Sequence, residues 1–278
     1  MWTRPVPANV VQFSHDLEFV DHADIIPFYL QWQDLISDPK LDRRFATEFM
    51  IRPLSVVITG TFYGSQSEWE NSGIPDRLPG NMKRDVTHRK FFESVAHDAE
   101  NEALYLDKVQ KPFYSKSLTF RANEILKDQK VEKLFKWVED RHQDPMSWYI
   151  VFRVTGGAVG DISMNATSYP HRDKVMTYES YALGKSMYRW TKNFIQGFHN
   201  VLLEGSEPGK YGTYAGYADP ALEADGPRHY WGPHLPALTD IKKKWDPKDR
   251  FHNPQSVRPP LTALQAFKKK LGLSDWQD

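Results

Sequence analysis

Hydrophobic and polar residues along the chain follow two spacings, which together predict a protein that mixes strands and helices. Short runs rich in β-branched and aromatic residues, bounded by Gly, Pro or polar clusters, are typical of β-strands. Such runs lie at residues 10–13, 45–51, 55–63, 113–120, 148–154 and 175–183, and a further strand is expected at 161–164. The run at 148–154, WYIVFRV, gives the strongest strand signal in the chain.

Apolar residues at three- and four-residue steps predict amphipathic helices between these strands. The segment 23–36 has this spacing, with Pro27 in the first turn, where its missing N–H would have no partner anyway. The clearest apolar faces comprise Val131, Leu134, Phe135 and Val138, and then Met187, Trp190, Phe194, Ile195, Phe198, Val201 and Leu202. Helices are also expected after Ser65, over 85–103 and over 261–273, whereas 204–233 is expected to be loop.

The order of these elements favours an α+β fold, with an antiparallel sheet and helices on one face. Strands and helices are intermixed, but the strands come in meander-like pairs, without the regular βαβ units of a parallel sheet. The chain has 278 residues, of which 40% are hydrophobic, and is long enough to bury a sizeable core.

Composition excludes several classes of function. Lys and Arg together number 36, as do Asp and Glu, so no global field favours nucleic acid or an anionic membrane. The absence of cysteine excludes disulfides, thiolate metal sites and a cysteinyl cofactor link. The histidines are dispersed, so no metal site is expected, and the first residues lack the apolar core of a secretory signal.

The stretch 230–257, YWGPHLPALTDIKKKWDPKDRFHNPQSV, combines a short amphipathic helix with an extended tail. Asp246-Pro247 is expected to end the helix, because the residue before a proline avoids the α region. A helix closed by W-D-P and followed by F-x-x-x-Q-S-V resembles the C-terminal segment of the berberine-bridge-enzyme-like FAD-linked oxidases, which include oligosaccharide and alcohol oxidases.

Two further segments resemble the same family, in the same order along the chain. Residues 156–172, GGAVGDISMNATSYPHR, are similar to a strand pair of the form G-G-x-x-x-acid that leads to F/Y-P-H-R, with Asp161 as the acid and His171 in the second motif. Residues 214–222, YAGYADPAL, are similar to the family's Y-x-N-Y-x-D-x-x-L, although Gly216 replaces the usual asparagine.

The resemblance implies roles for particular residues. Tyr217, Asp161 and Tyr214 would form the substrate-side acid–base group of an enzyme that oxidises an alcohol or sugar by hydride transfer to FAD. Asn253 and Gln255 in the tail would contact that cofactor. Residues 1–225 would form the substrate-binding domain, and 226–278 the C-terminal segment of the family.

The family's FAD-binding domain carries a Gly-Gly-His segment and a Cys-containing loop, which this sequence lacks. The resemblance therefore implies a missing or separate FAD-binding domain as partner, and a chain that is inactive alone. Two explanations stay open: a fragment of a longer oxidase, or a standalone descendant that has lost flavin binding. The alternative function is a non-enzymatic carbohydrate-binding or protein-interaction module, with stacking surfaces at Tyr149, Tyr178, Tyr181 and Trp231.

Overall fold

Seven antiparallel strands form one sheet in the computed structural model of the chain, which describes residues 5–19, 21–53, 55–80, 86–106, 113–141, 147–183, 189–207 and 210–260. The strands are β1 (Asn9–Glu18), β2 (Phe45–Ile51), β3 (Ser55–Phe62), β4 (Val86–Lys90), β5 (Phe113–Phe120), β6 (Ser147–Val154) and β7 (Met176–Leu183). Their order across the sheet is β4-β1-β3-β2-β6-β7-β5. The antiparallel α+β architecture predicted from the sequence is confirmed.

Eight α-helices accompany the sheet in the described part of the chain. They are α1 (Ile26–Ser37), α2 (Gln66–Asn71), α3 (Ile74–Arg77), α4 (Phe91–Leu106), α5 (Asp128–Arg141), α6 (Arg189–Leu203), α7 (Gly226–Trp231) and α8 (Leu235–Trp245). Ser65 caps α2 in a capping box with Glu68, so its side chain and that of Glu68 each satisfy a backbone N–H at the helix start.

The core lies between one face of the sheet and helices α1, α5 and α6. The Tyr29 ring of α1 meets the rings of Phe49 in β2 and Phe152 in β6, at centroid distances of 5.3 and 4.9 Å. Phe198 of α6 stacks on Tyr178 of β7, at a centroid distance of 5.6 Å. All five side chains are buried, and each contributes about 1.5–3 kcal/mol relative to an exposed position.

Strand alternation sends the intervening side chains to the opposite face, because successive residues of a strand point to opposite sides of its sheet. At the centre of the sheet these residues are Glu48 of β2, Tyr149 and Arg153 of β6, and Glu179 and Tyr181 of β7. We call this surface the polar face.

The helix α4 packs at the β1–β4 edge, where Gln12 donates a hydrogen bond to Asp98 at 3.0 Å.

Most of the predicted elements are confirmed, and three expectations about them are wrong. The segment 85–103 is not all helix, because residues 86–90 form β4 and α4 begins at Phe91. Residues 161–164 do not pair as a strand, because the segment forms turns with short 3-10 helices at Gly157–Val159 and Met164–Ala166. The segment 204–233 is not all loop, since it contains a 3-10 helix at Pro220–Asp225 and the helix α7. The helix expected at 261–273 lies outside the described residues, and the division at 225/226 stays a prediction.

Candidate active site

The register of three neighbouring strands brings charged side chains together on the polar face. Glu48 of β2 lies directly opposite Arg153 of β6, and Val151 of β6 lies opposite Glu179 of β7. Arg153 is therefore a direct neighbour of one carboxylate and a diagonal neighbour of the other, which a long side chain can reach.

Arg153 holds the centre of this cluster. Its Nε donates to Glu48 Oε1 at 2.8 Å, and its Nη1 donates to Glu179 Oε2 at 2.8 Å. The same Nη1 lies 3.5 Å from the hydroxyl oxygen of Tyr217. The Glu179 side chain is 4% exposed, whereas those of Arg153 and Glu48 are about one-third exposed, at 35% and 36%. The cluster thus has a buried carboxylate at one end and a solvent-facing one at the other.

Burial and charge alter the acidity of these groups. Burial raises the pKa of Glu179 despite the opposing effects of Arg153 and the Tyr217 hydroxyl. Burial also raises the pKa of Tyr217, and the charge of Glu179 adds to this, although Tyr181 and Arg153 act in the opposite direction. Tyr217 is therefore a neutral phenol at neutral pH, and Glu179 is a stronger base than an exposed glutamate.

Aromatic rings line the polar face beside the charged cluster. The rings of Tyr149 and Tyr181, a direct cross-strand pair, stack at a centroid distance of 4.7 Å. Tyr217 meets Tyr181 edge-on at 6.2 Å, and Tyr214 meets Tyr217 at 5.7 Å. The ring of Tyr169 continues the series, 6.1 Å from that of Tyr214. The result is a row of phenols that leads from the sheet to the surface.

The segment that carries Tyr214 and Tyr217 is attached to the edge strand β5 and to a buried histidine. Gly212 forms a β-bridge with Thr119 of β5. His171 Nε2 lies 3.2 Å from the Thr213 carbonyl, and a Cβ at Gly212 would come within 2.3 Å of the imidazole. Burial lowers the pKa of His171 to about 4, so the ring is neutral at neutral pH. The F/Y-P-H-R motif thus supports the tyrosine segment.

The structure brings Tyr214 and Tyr217 together and places Asp161 elsewhere. Asp161 lies at the surface in the turn after Gly157–Val159 and pairs there with Arg43, with both side chains more than half exposed. The carboxylate beside Tyr217 is that of Glu179. The strand that would have aimed Asp161 across the sheet is absent, so its assignment as the catalytic acid stays a prediction without geometric support.

Asn253 and Gln255, predicted to contact FAD, lie in the tail after α8. Asn253 is exposed, and its Oδ1 accepts a hydrogen bond from the Gln255 N–H at 2.9 Å. Gln255 is partly buried, and both ends of its amide bond to the protein: Oε1 to the Tyr230 hydroxyl at 2.9 Å, Nε2 to the Asp219 carbonyl at 2.6 Å. Each amide end of Gln255 thus makes one hydrogen bond within the described chain, and the FAD contact of Asn253 and Gln255 stays a prediction.

Sequence reasoning missed Glu48, Arg153 and Glu179. A signal was present, because each is a charged residue inside a strand run rich in hydrophobic residues, as in FATEFMI, WYIVFRV and MTYESYAL. A charge in such a run must lie on the less buried face and needs a partner there. Which charges meet depends on the strand order β2-β6-β7, and the sequence does not state that order.

Two kinds of feature are absent from the part of the chain that the structure describes. Within residues 5–260, apart from the undescribed gaps, no group of three or more His, Asp or Glu could hold a metal ion. None of the described helices is long and apolar enough to cross a membrane.

Comparisons with known proteins agree with the motifs and the fold. The family model for berberine and berberine-like proteins matches residues 213–258. The FAD-linked oxidoreductase sorD of Penicillium rubens is 31% identical over 94% of this chain, and the match covers 56% of the relative's length. A carbohydrate oxidase of Microdochium nivale is 30% identical over 73% of this chain and 43% of its own length.

Solved structures of related enzymes share the fold. The carbohydrate oxidase of Microdochium nivale, in complex with a substrate analogue, matches with a TM-score of 0.77 and 25% identity over 92% of this chain and 57% of its own. The xylooligosaccharide oxidase of Myceliophthora thermophila, in complex with xylobiose, matches with a TM-score of 0.79 and 23% identity over the same shares. The chain spans about half the length of these relatives, and it belongs to the berberine-bridge-enzyme-like family of FAD-linked oxidases.

Proposed function

We propose that this chain is the substrate-side half of an FAD-dependent oxidoreductase that oxidises an alcohol or a sugar. The observation that carries the proposal is the contact of Arg153 with Glu48, Glu179 and Tyr217 on the polar face. A phenol, a buried carboxylate and a cation within hydrogen-bonding reach form an arrangement suited to proton transfer from a hydroxyl group.

In this proposal the Tyr217 hydroxyl hydrogen-bonds the substrate hydroxyl and passes its proton toward Glu179. The raised pKa of Glu179 favours this direction, because a stronger base accepts a proton more readily. Arg153 orients Glu179 and stabilises the negative charge that Tyr217 carries during the transfer. FAD, when bound in the whole protein, supplies the hydride acceptor. Tyr214 and Asp161 are the other predicted members of the group, and Asp161 pairs with Arg43 at the surface.

The substrate class follows from the aromatic row and from the relatives. Tyr149, Tyr181 and Tyr214 present ring faces and hydroxyls beside the acid–base group. Sugars stack their C–H faces on such rings and hydrogen-bond the hydroxyls. Relatives of this chain are a carbohydrate oxidase and a xylooligosaccharide oxidase, which makes a sugar hydroxyl the first substrate to test.

The partner in this proposal is an FAD-binding domain, in the same protein or separate. The apolar face of α8 is uncovered: Ile241 and Trp245 are 54% and 76% exposed, and Phe251 in the tail is 83% exposed. Large apolar side chains exposed on one short segment are typical of an interface. We propose that the FAD-binding domain covers it, and that the chain is inactive without that domain.

A non-enzymatic carbohydrate-binding module is the second candidate. The stacked pair of Tyr149 and Tyr181 favours it, since stacked rings on a sheet face can bind sugars without any redox step. The two candidates differ in what Tyr217 does. An oxidase needs its hydroxyl, whereas a binding module needs only the ring.

The experiment compares wild type with Tyr217→Phe in the flavin-bound form of the protein, with a panel of alcohols and oligosaccharides as substrates. Loss of the acid–base hydroxyl is expected to lower kcat by about 10²–10⁴-fold, with sugar binding retained. Tyr63→Phe, a surface tyrosine outside the cluster, is the matched control. Unchanged turnover in Tyr217→Phe would refute the proposed role, and sugar binding without oxidation of any substrate would favour the binding module.

A further inference from the structure

A buried ion pair anchors the segment that carries Tyr217. Lys116 of β5 donates from Nζ to Asp219 Oδ2 at 2.6 Å, and each side chain is 3% exposed. Two charges removed from water in this way hold a fixed geometry, because breaking the pair leaves one charge buried without a partner. Asp219 follows Tyr217 by two residues, so the pair fixes one end of the segment from Gly212 to Asp219. We call this segment the tyrosine turn.

The tail beyond α8 holds the same point of the chain. The backbone N–H of Asp219 donates to the Tyr230 hydroxyl oxygen at 2.8 Å, and that hydroxyl donates to Gln255 Oε1 at 2.9 Å. Gln255 Nε2 then donates to the Asp219 carbonyl oxygen at 2.6 Å, which closes a ring of three hydrogen bonds. We call Asp219, Tyr230 and Gln255 the latch.

The latch and His171 hold opposite ends of the tyrosine turn. Gly212 and Thr213 are held at the start of the turn by Thr119 and His171. Between the two anchors, the Tyr217 N–H donates to the Tyr214 carbonyl at 2.9 Å, which is a single turn bond. A turn held mainly at its ends shifts when the hold on one end is weakened.

We infer that Gln255 is a positioning residue: the latch uses the C-terminal tail to set the place of Tyr217 on the polar face. Each hydrogen bond of the latch contributes about 0.5–1.5 kcal/mol, so the tail holds the turn by only a few kcal/mol. Displacing residues 253–257 would therefore leave the Lys116–Asp219 pair as the remaining hold on this end of the turn, and Tyr217 would shift without unfolding of the sheet. The consequence for turnover rests on the proposed function, whereas the positioning itself does not.

The test labels Tyr217 with 3-fluorotyrosine in the full 278-residue chain and follows its ¹⁹F resonance in wild type and Gln255→Ala. Loss of the latch is expected to shift or broaden the Tyr217 resonance and to move its titration midpoint, and Tyr230→Phe is expected to do the same. Gln66→Ala is the matched control, because it removes an exposed amide of the same size from α2. A label at Tyr63 reports whether the effect is local.

The outcomes separate positioning from general stability. A lower melting temperature with an unchanged Tyr217 resonance in both Gln255→Ala and Tyr230→Phe would overturn the inference, because the tail would then only stabilise the fold. A change at Tyr217 but not at Tyr63 supports it. The measurement needs no flavin and no turnover, so it can succeed even where the oxidase proposal fails.

Discussion

Arg153 and Glu179 form an ion pair across β6 and β7, with Nη1 and Oε2 2.8 Å apart, and Glu179 is almost fully buried. Removing the cation leaves a buried carboxylate without its charge partner. Arg153→Met is therefore expected to lower the free energy of unfolding by about 2–3 kcal/mol, less than for a fully buried pair because Arg153 retains solvent contact.

Urea denaturation measures this change, with the double variant Arg153→Met/Glu179→Gln as its control. The double variant also removes the buried charge of Glu179, so it should recover part of the lost free energy of unfolding. Equal stability of Arg153→Met and wild type would mean that Glu179 is already neutral in the folded protein.

The identity of the catalytic carboxylate can be decided between Glu179 and Asp161. In the flavin-bound protein, Glu179→Gln is expected to lower kcat by about 10²-fold, because it removes the proton acceptor beside Tyr217. Asp161→Asn is expected to change kcat by less than about threefold, because its carboxylate pairs with Arg43 at the surface.

The pH dependence of kcat supplies an independent readout. The pKa of Glu179 lies above its ordinary value, so activity should fall on the acid side at a higher pH than for an exposed glutamate. This loss of activity at acidic pH should disappear in Glu179→Gln and persist in Asp161→Asn. The reverse pattern would restore Asp161 as the acid.

Acid should destabilise the protein through His171. Its pKa in the folded state is about 4, against an ordinary value of 6.5, so the unfolded chain binds a proton more tightly. The contribution of neutral His171 is complete above pH about 6.5 and is lost as the pH falls toward about 4. The expected loss from this residue alone is about 2 kcal/mol at pH 5.

Unfolding in urea at pH 7.5 and pH 5 measures this loss, and His171→Gln should reduce the difference between the two. Glutamine keeps a donor for the Thr213 carbonyl but does not titrate. The exposed His252→Gln serves as the control. If His171→Gln and wild type lost the same stability on acidification, other groups, such as His199, would account for the whole effect.

A glycine in α6 is expected to be required by packing. A Cβ at Gly197 would come within 2.0 Å of the Trp137 ring on α5. Alanine is a better helix former than glycine by about 1 kcal/mol, but a clash of this size costs about 1–3 kcal/mol. Gly197→Ala is therefore expected to lower the melting temperature, whereas the exposed Asn200→Ala should leave it nearly unchanged. A more stable Gly197→Ala would show that Trp137 moves aside freely.

Much of the fold could be predicted from the local pattern. The strand signal in WYIVFRV and the three-to-four spacing around Leu134 and Phe135 are confirmed as β6 and α5, because both follow from burying one face of a regular element. The same reasoning failed at 161–164, where the double glycine leads into 3-10 turns. Backbone freedom at Gly156 and Gly157, both with positive φ, permits either outcome.

The amphipathic pattern of α8 predicted its helix but not its environment. The helix forms as expected, yet none of its residues is buried in the described structure. A hydrophobic helix face predicts that the helix packs against another apolar surface. It does not identify that surface.

The sequence by itself determined the family, most of the elements and the tyrosines of the candidate site, because motifs and periodicity are local in the chain. Tertiary structure decided which acid faces Tyr217. Glu179 lies 38 positions before Tyr217 in the sequence, and Arg153 joins the two through the order of β2, β6 and β7. Long-range strand pairing sets that order, which no local pattern in the sequence specifies. The hydrogen bond of Gln255 to the Asp219 carbonyl, across 36 positions, likewise depends on the tertiary structure.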